Sequence, residues 1–309
     1  MPETPYDVIG IGNAIVDVLA HADDEFLAAE GLTKGTMTLI DAEEAKRLYQ
    51  KIRPAVECSG GSAANTIAGL ASLGGQGAFI GKVHDDQLGE VFRHDIRALG
   101  VAFDTVANDS GPPTATSMIL VTPDAQRTMQ TFLGACVDLG PDDIDPEMIT
   151  DAKITYLEGY LWDPPGAKEA FVKAADVAHQ TGRKVSLSLS DPFCVDRHRD
   201  EFRALVEAHI DILFANEGNG TDDGGAMIYL GNAEGTFSEE RRMVLPGSNS
   251  TSVIAEDLNA DGFVDVVLTN RSVKKRDMSD PGSVKDAHVV PSFIYWGSPR
   301  GYSPQNRTE

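Results

Sequence analysis

At 309 residues, 41% of them hydrophobic, the chain is long enough to bury one large α/β core or two ordinary ones. With 48 acidic against 26 basic residues, its formal charge of −22 repels phosphate backbones and anionic bilayers, so neither nucleic acid nor a membrane surface is expected as a partner. Cationic ligands or divalent metals suit that charge, and so does the plainer reading of an acidic solvated surface.

In chain order, Asp7 to Gly12 is a β-branched run ending in glycine, with Asn13 and Asp17 just beyond it. Thr36 to Ile40 alternates polar and apolar residues as a half-exposed strand does. In Cys58-Ser59-Gly60-Gly61-Ser62-Ala63-Ala64-Asn65, paired glycines precede a helix whose buried face is Ala63, Ala64, Ile67, Leu70 and Ala71, placing Asn65 in the first turn. A glycine pair there serves a tight turn as readily as a binding loop. Ala78 to Gly81 is a second strand, and Leu88, Val91, Phe92, Ile96 and Leu99 share one helical face before Gly100. Thr114 to Val121 and Arg127 to Leu133 alternate again. Together with residues 36–40 they are expected to form a small accessory sheet that acts as a lid. Strands at Ile154 to Leu157, Lys184 to Leu189 and Asp211 to Ala215 then alternate with helices carrying Ala170, Phe171, Ala174, Ala175 and Ala178, and then Phe202, Leu205 and Val206. This order predicts an α/β fold with a doubly wound, mostly parallel sheet, whose ligands bind at the carboxyl ends of the strands.

Cys58, Cys136 and Cys194 are odd in number and widely spaced, as expected of reduced thiols. The opening Met1-Pro2-Glu3-Thr4-Pro5 lacks the parts of a secretion signal, and no apolar run reaches the ~20 residues that span a bilayer, so the chain is expected to be cytoplasmic.

Asn13, Asp17 and Asn65 should meet in one crevice, where a carboxylate and two amides can fork onto neighbouring hydroxyls of a sugar. At these residues the sequence resembles the PfkB (ribokinase-like) family of sugar and nucleoside kinases, and within it adenosine kinase-like members. The resemblance runs from about residue 6 to residue 217. It is carried by Asn13-Ala14-Ile15-Val16-Asp17, Gly60-Gly61-Ser62-Ala63-Ala64-Asn65-Thr66, Gly81 to Gly89, Thr131 to Ala135 and Asp191 to Asp196. It implies that Asn13, Asp17, Gly60, Gly61 and Asn65 hold ribose-type hydroxyls, that Gly134 and Ala135 line the pocket with Glu158 near it, and that ATP and Mg²⁺ are the cofactors.

The resemblance also implies a catalytic aspartate in a Gly-Ala-Gly-Asp run at a helix N-terminus, which serves as base beside the bound phosphate. No such run occurs in this sequence, so no catalytic residue is assigned. The family's Asn-x-x-Glu after the last strand becomes Asn216-Glu217-Gly218-Asn219, which keeps Asn216 on the nucleotide side but replaces the carboxylate with an amide.

From residue 218 to residue 309 the pattern changes, which places a domain boundary at 217. Ala226 to Asn232 with Gly235-Thr236-Phe237 is echoed by Ser292 to Ser298 with Gly301-Tyr302-Ser303, an internal repeat of about sixty-six residues. Asp257-Leu258-Asn259-Ala260-Asp261-Gly262-Phe263-Val264-Asp265 between the copies has oxygen ligands at alternate positions. The segment resembles the FG-GAP/VCBS repeats of β-propellers. That resemblance implies Ca²⁺ held by Asp257, Asn259, Asp261, Asp265 and the Phe263 carbonyl; the plain alternative is a solvated Asx-rich hairpin. Fewer than two such modules are present, and a kinase sheet lacking its last third has an open edge, so self-association through sheet edges is expected. Three functions follow: a kinase body with impaired turnover, a calcium-dependent binding module, or a chimera with no integrated activity.

Overall fold

The computed structural model describes residues 4–190 and 192–216, and beyond them the strands Ala226–Leu230, Arg242–Leu245, Ser250–Glu256, Asp265–Asn270, Phe293–Tyr295 and Arg307–Thr308. Strand β1 (Tyr6–Ile11) runs straight into β2 (Ile15–His21), which leaves the first sheet for a second one. Two short helices follow, α1 (Asp24–Ala29) and, after β3 (Met37–Leu39), α2 (Ala42–Tyr49); each is capped by an aspartate, Asp23 on the Phe26 N–H and Asp41 on the Glu44 N–H. Strand β4 (Val56–Gly60) returns to α3 (Ser62–Ser72), β5 (Gly77–Ile80) and α4 (Gln87–Ala98), and the chain then re-enters the second sheet as β6 (Ala115–Val121) and β7 (Arg127–Phe132). The remainder alternates: α5 (Pro146–Thr150), β8 (Ala152–Glu158), α6 (Pro165–Gln180), β9 (Lys184–Ser188), α7 (Pro192–His209) and β10 (Ile212–Asn216).

Strands β10, β9, β8, β1 and β5 lie side by side in that order and are all parallel. Ile9, Ile11, Leu157, Val185 and Leu187 pack with Phe171, Ala174 and Phe202 of α6 and α7 on one face. Phe79, Ile67, Phe92 and Ile96 pack β5, α3 and α4 on the other. Helices therefore cover both faces, as the alternation predicts. Phe79, Phe92 and Phe103 form a closed aromatic group with centroids 5.2–6.1 Å apart, and truncating a ring there should cost about 3–5 kcal/mol.

The accessory sheet has five strands in the order β3-β7-β6-β2-β4. Residues 36–40 contribute β3, but β2 and β4 also belong to it, and the sequence pattern had not marked either as a strand. Strand β6 is buried on both faces rather than half-exposed, because it is the middle strand. In register across the sheet, Cys58, Asp17, Ser117, Thr131 and Leu39 share one face. Val16, Val18, Met118 and Leu120 on the other face are buried.

At the other end of the large sheet, the β10 edge is paired. Strands β11 (Ala226–Leu230) and β12 (Arg242–Leu245) add to it antiparallel, making seven strands in all. Strands β13 (Ser250–Glu256), β14 (Asp265–Asn270), β15 (Phe293–Tyr295) and β16 (Arg307–Thr308) form a separate antiparallel sheet. The described strand of each copy of the expected repeat thus takes a different place, β11 on the large sheet and β15 in the small one. Residues 257–264, most of the expected calcium loop, lie outside the described residues. Cys58, Cys136 and Cys194 form no disulfide, and among the described residues no helix is long and apolar enough to cross a membrane.

Candidate substrate-binding cleft

The cleft lies where β1 turns from one sheet into the other, at the carboxyl ends of β1 and β8. Asp17 sits on β2 in register with Cys58 of β4, two residues from the Gly60 pairing with Ile15. Its carboxyl group lies against the Gly60 Cα: a Cβ built on Gly60 would fall within the Asp17 carboxyl. Gly61 follows with φ +92°, and a Cβ there would strike the Asn13 carbonyl oxygen. The glycine pair is therefore a close-approach device as well as a turn, and it brings Asp17 and Asn13 to the start of α3.

Asn13 is buried. Asn65, in the first turn of α3, donates its backbone N–H to the Gly61 carbonyl at 2.8 Å and has an exposed side chain. Gly134 and Ala135 open a short 3-10 helix, Gly134–Asp138, that is fastened to the same wall: the Cys136 thiol donates to the Ala14 carbonyl at 3.3 Å. Cys136 also packs with Ile15 and Ala115. The substrate-side residues expected from sequence thus come together around β1, β2 and the start of α3. Asn216, in contrast, lies at the end of β10. Glu158, Ser188 and Phe214 are level across β8, β9 and β10, and Asn216 is two residues further on.

Burial governs the two acids of the cleft. It pushes the Asp17 carboxyl up to about 6, against the pull of the Arg127 charge. Glu158 is almost fully enclosed at 3% exposure, and burial raises it to about 7 although the Ser62 hydroxyl and the Ala63 N–H donate to it. Its Oε2 has no hydrogen-bond partner and would lie 3.2 Å from a Cβ on Gly12. At neutral pH Asp17 is an acceptor-only carboxylate able to accept hydrogen bonds from two hydroxyls, whereas Glu158 is poised between its two forms.

Two participants were not legible from sequence. Tyr156, half-buried in β8, meets Ser188 and Thr66 beside Glu158, and the enclosure of its hydroxyl pushes that group well up. Lys82, just after β5, makes an enclosed ion pair with Asp143 at 2.5 Å, tying the 141–143 turn to the strand ends. The lysine stands inside the quoted Gly81 to Gly89 motif, but nothing in the spacing announces Asp143.

ATP and Mg²⁺ are what the family implies. Among the described residues no group of three or more His, Cys, Asp or Glu side chains could hold a metal ion, and residues 217–225, which follow Asn216, lie outside those described. The described cleft brings the Asp17 carboxyl, Asn13 and the Gly60-Gly61 turn together at the start of α3.

Residues 26–219 match the pfkB family of carbohydrate kinases, and residues 208–268 match an FG-GAP-like repeat. Among solved structures, the adenosine kinase from Sinorhizobium meliloti is 44% identical with a TM-score of 0.66, over 81% of this chain and 82% of that one. A probable sugar kinase from Rhizobium etli CFN 42 is 43% identical with a TM-score of 0.67 and the same coverage. An ATP-dependent ribose-1-phosphate kinase from Halopiger xanaduensis is 33% identical over 54% of this chain and 52% of its own length, and a Solanum tuberosum fructokinase is 25% identical over 56% and 55%. The chain spans about half the length of these curated relatives. With more than half of its residues matched by the family, this chain belongs to the pfkB family of carbohydrate kinases.

Proposed function

We propose that the chain is an adenosine kinase-like member of the family that binds a nucleoside or sugar through its hydroxyls but transfers phosphate poorly or not at all. The observation that carries the binding half is the Asp17 carboxyl packed on Gly60 beside Asn13 and Gly61. A carboxylate so held accepts two neighbouring hydroxyls, and the amides of Asn13 and Asn65 add donors at its side. The Asp17 face of the accessory sheet also carries exposed Leu19, Met37, Leu39 and Val56. Such a row suits a ligand with a flat apolar part and favours a nucleoside over a bare sugar, with the sheet as its lid. The relative at 44% identity is an adenosine kinase, which supports the same choice.

The proposed deficit rests on the sequence. No Gly-Ala-Gly-Asp run is present in the 309 residues, and Asn219 stands where the family's glutamate would be. When bound, ATP with Mg²⁺ supplies the phosphoryl group; this chain's own residues orient the acceptor but offer no assigned base to take its proton. Calorimetry with adenosine and ribose, paired with a phosphotransfer assay containing ATP and Mg²⁺, tests both halves of the reading.

The FG-GAP-like match at 208–268 and the Asp257, Asn259, Asp261, Phe263 and Asp265 set favour a second reading, a Ca²⁺-binding module fused at about residue 217. It requires that Ca²⁺ raise the melting temperature; an unchanged melting curve at millimolar Ca²⁺ rejects it.

A further inference from the structure

Four chain crossings join the accessory sheet to the parallel sheet: β1 into β2, β4 into α3, the segment entering β6, and the segment leaving β7. The first two meet at Asn13 and Gly61, inside the cleft already described. The other two meet at Pro113 and Ala135, where the Ala135 N–H donates to the Pro113 carbonyl at 2.9 Å. Gly134 beside it has φ +46°, and a Cβ there would lie 2.7 Å from the Ala115 nitrogen.

Thr114, the residue after Pro113, is almost completely buried at 1% exposure and is held entirely from the α/β side. Asp86 Oδ2 accepts its backbone N–H at 2.9 Å and Asp86 Oδ1 accepts its hydroxyl at 2.7 Å. The same Oδ1 accepts the Gly89 N–H at 2.8 Å as the N-cap of α4, and the Thr114 Oγ1 accepts the His84 N–H at 3.0 Å. Capping a helix needs one acceptor, and Ser, Thr or Asn provides it as well as Asp. Two further bonds to a residue 28 positions away need both oxygens of a carboxylate.

We infer that Asp86 is a positioning residue for the substrate cleft. Through Thr114 and Pro113 it fixes the place of Gly134 and Ala135, and with them the entry and exit of the accessory sheet. This rests on the reading that Gly134 and Ala135 line the hydroxyl pocket, whereas the contact chain from Asp86 to Ala135 does not depend on it.

The test uses the full chain and three variants, Asp86→Asn, Thr114→Val and Thr114→Ser. Asparagine keeps an N-cap acceptor but sets an amide against the Thr114 N–H; valine removes the hydroxyl, and serine restores it. Backbone amide exchange is followed at Ala135 and along β6 and β7, with α4 and β8 as internal references, and adenosine affinity is measured by calorimetry. Exchange at Ala135 in Asp86→Asn and Thr114→Val should quicken about tenfold and adenosine binding should weaken about tenfold, the size of one lost hydrogen bond to a charged group. The α4 and β8 amides should hold, and Thr114→Ser should match the wild type. Exchange at Ala135 within about twofold of wild type in both disruptive variants overturns the inference, as does loss of protection confined to α4. If Asp86→Asn fails to fold, Thr114→Val and Thr114→Ser decide by the same readout. Failure of the wild type to bind adenosine or ribose rejects the proposed function and leaves the exchange result to judge Asp86.

Discussion

The Asp17 carboxyl occupies the space in which a side chain on Gly60 would begin. That one contact joins strand β2 of the accessory sheet to the turn that opens α3, and it makes an aspartate on a strand part of the same wall as a helix N-terminus.

Substituting Gly60 tests the contact. Gly60→Ala must displace the Asp17 carboxyl, because the added carbon meets that group and its backbone neighbours cannot retreat far. A loss of ~1–3 kcal/mol of stability and at least tenfold weaker adenosine binding is expected from thermal melts and calorimetry. In an Asp17→Ala background the same Gly60→Ala change should cost much less, since the clash partner is gone; equal costs in both backgrounds would contradict the contact.

Asp17 also sets a pH dependence whose sign follows from its burial. The folded protein keeps the Asp17 proton up to about pH 6, whereas an unfolded aspartate releases it near 3.8, so stability falls as pH rises through that window. The cost is up to ~3 kcal/mol and is fully present above pH 6. Glu158, raised from 4.5 to about 7, acts in the same direction over a higher window. Asp17→Asn should therefore melt higher than wild type at pH 7.5, with the difference closing towards pH 4, while losing nucleoside binding. In the wild type, affinity should rise as pH passes through about 6 and the carboxylate forms. Melting curves and titrations at four or five pH values check both slopes; an Asn variant that binds as well as wild type would contradict the assignment.

The pairing of β10 with β11 has a consequence for the oligomeric state. Strand β11 is flanked by β10 and β12, so successive backbone N–H groups point alternately to the two neighbours and a proline in its middle must break one ladder. Of Met227→Pro and Ile228→Pro, one should free the β10 edge. That variant should lose amide protection at 212–216 and sediment as larger species with rising concentration; β10 protection retained in both would show that β11 does not cover the edge.

Much of this molecule can be read along its sequence, and the limits have physical reasons. The parallel core follows from runs such as Ile154 to Leu157, whose neighbours on both faces are helices of regular apolar period. The glycine pair and Asn13, Asp17 and Asn65 were visible as types and spacing. The place of Asp17 in the accessory sheet was not, because Ile15–His21 follows β1 after only three residues and looks like its continuation. The periodicity puts Leu99 on one helical face with Phe92 and Ile96, yet as the C-cap it is half exposed, since the helix ends one residue before it. The pairings of Asp143 with Lys82 and of Thr114 with Asp86 are not legible, because the partners are far apart in the chain and only the fold brings them together.

The proposed function requires that hydroxyls be clasped here without a base to deprotonate them. One sample, titrated with adenosine and then given ATP and Mg²⁺ while product is counted, tests it most directly. Saturable binding that Asp17→Asn abolishes, with no phosphorylated product above the protein-free control, is the predicted result. Turnover in the ~1–100 s⁻¹ range of working kinases would contradict it.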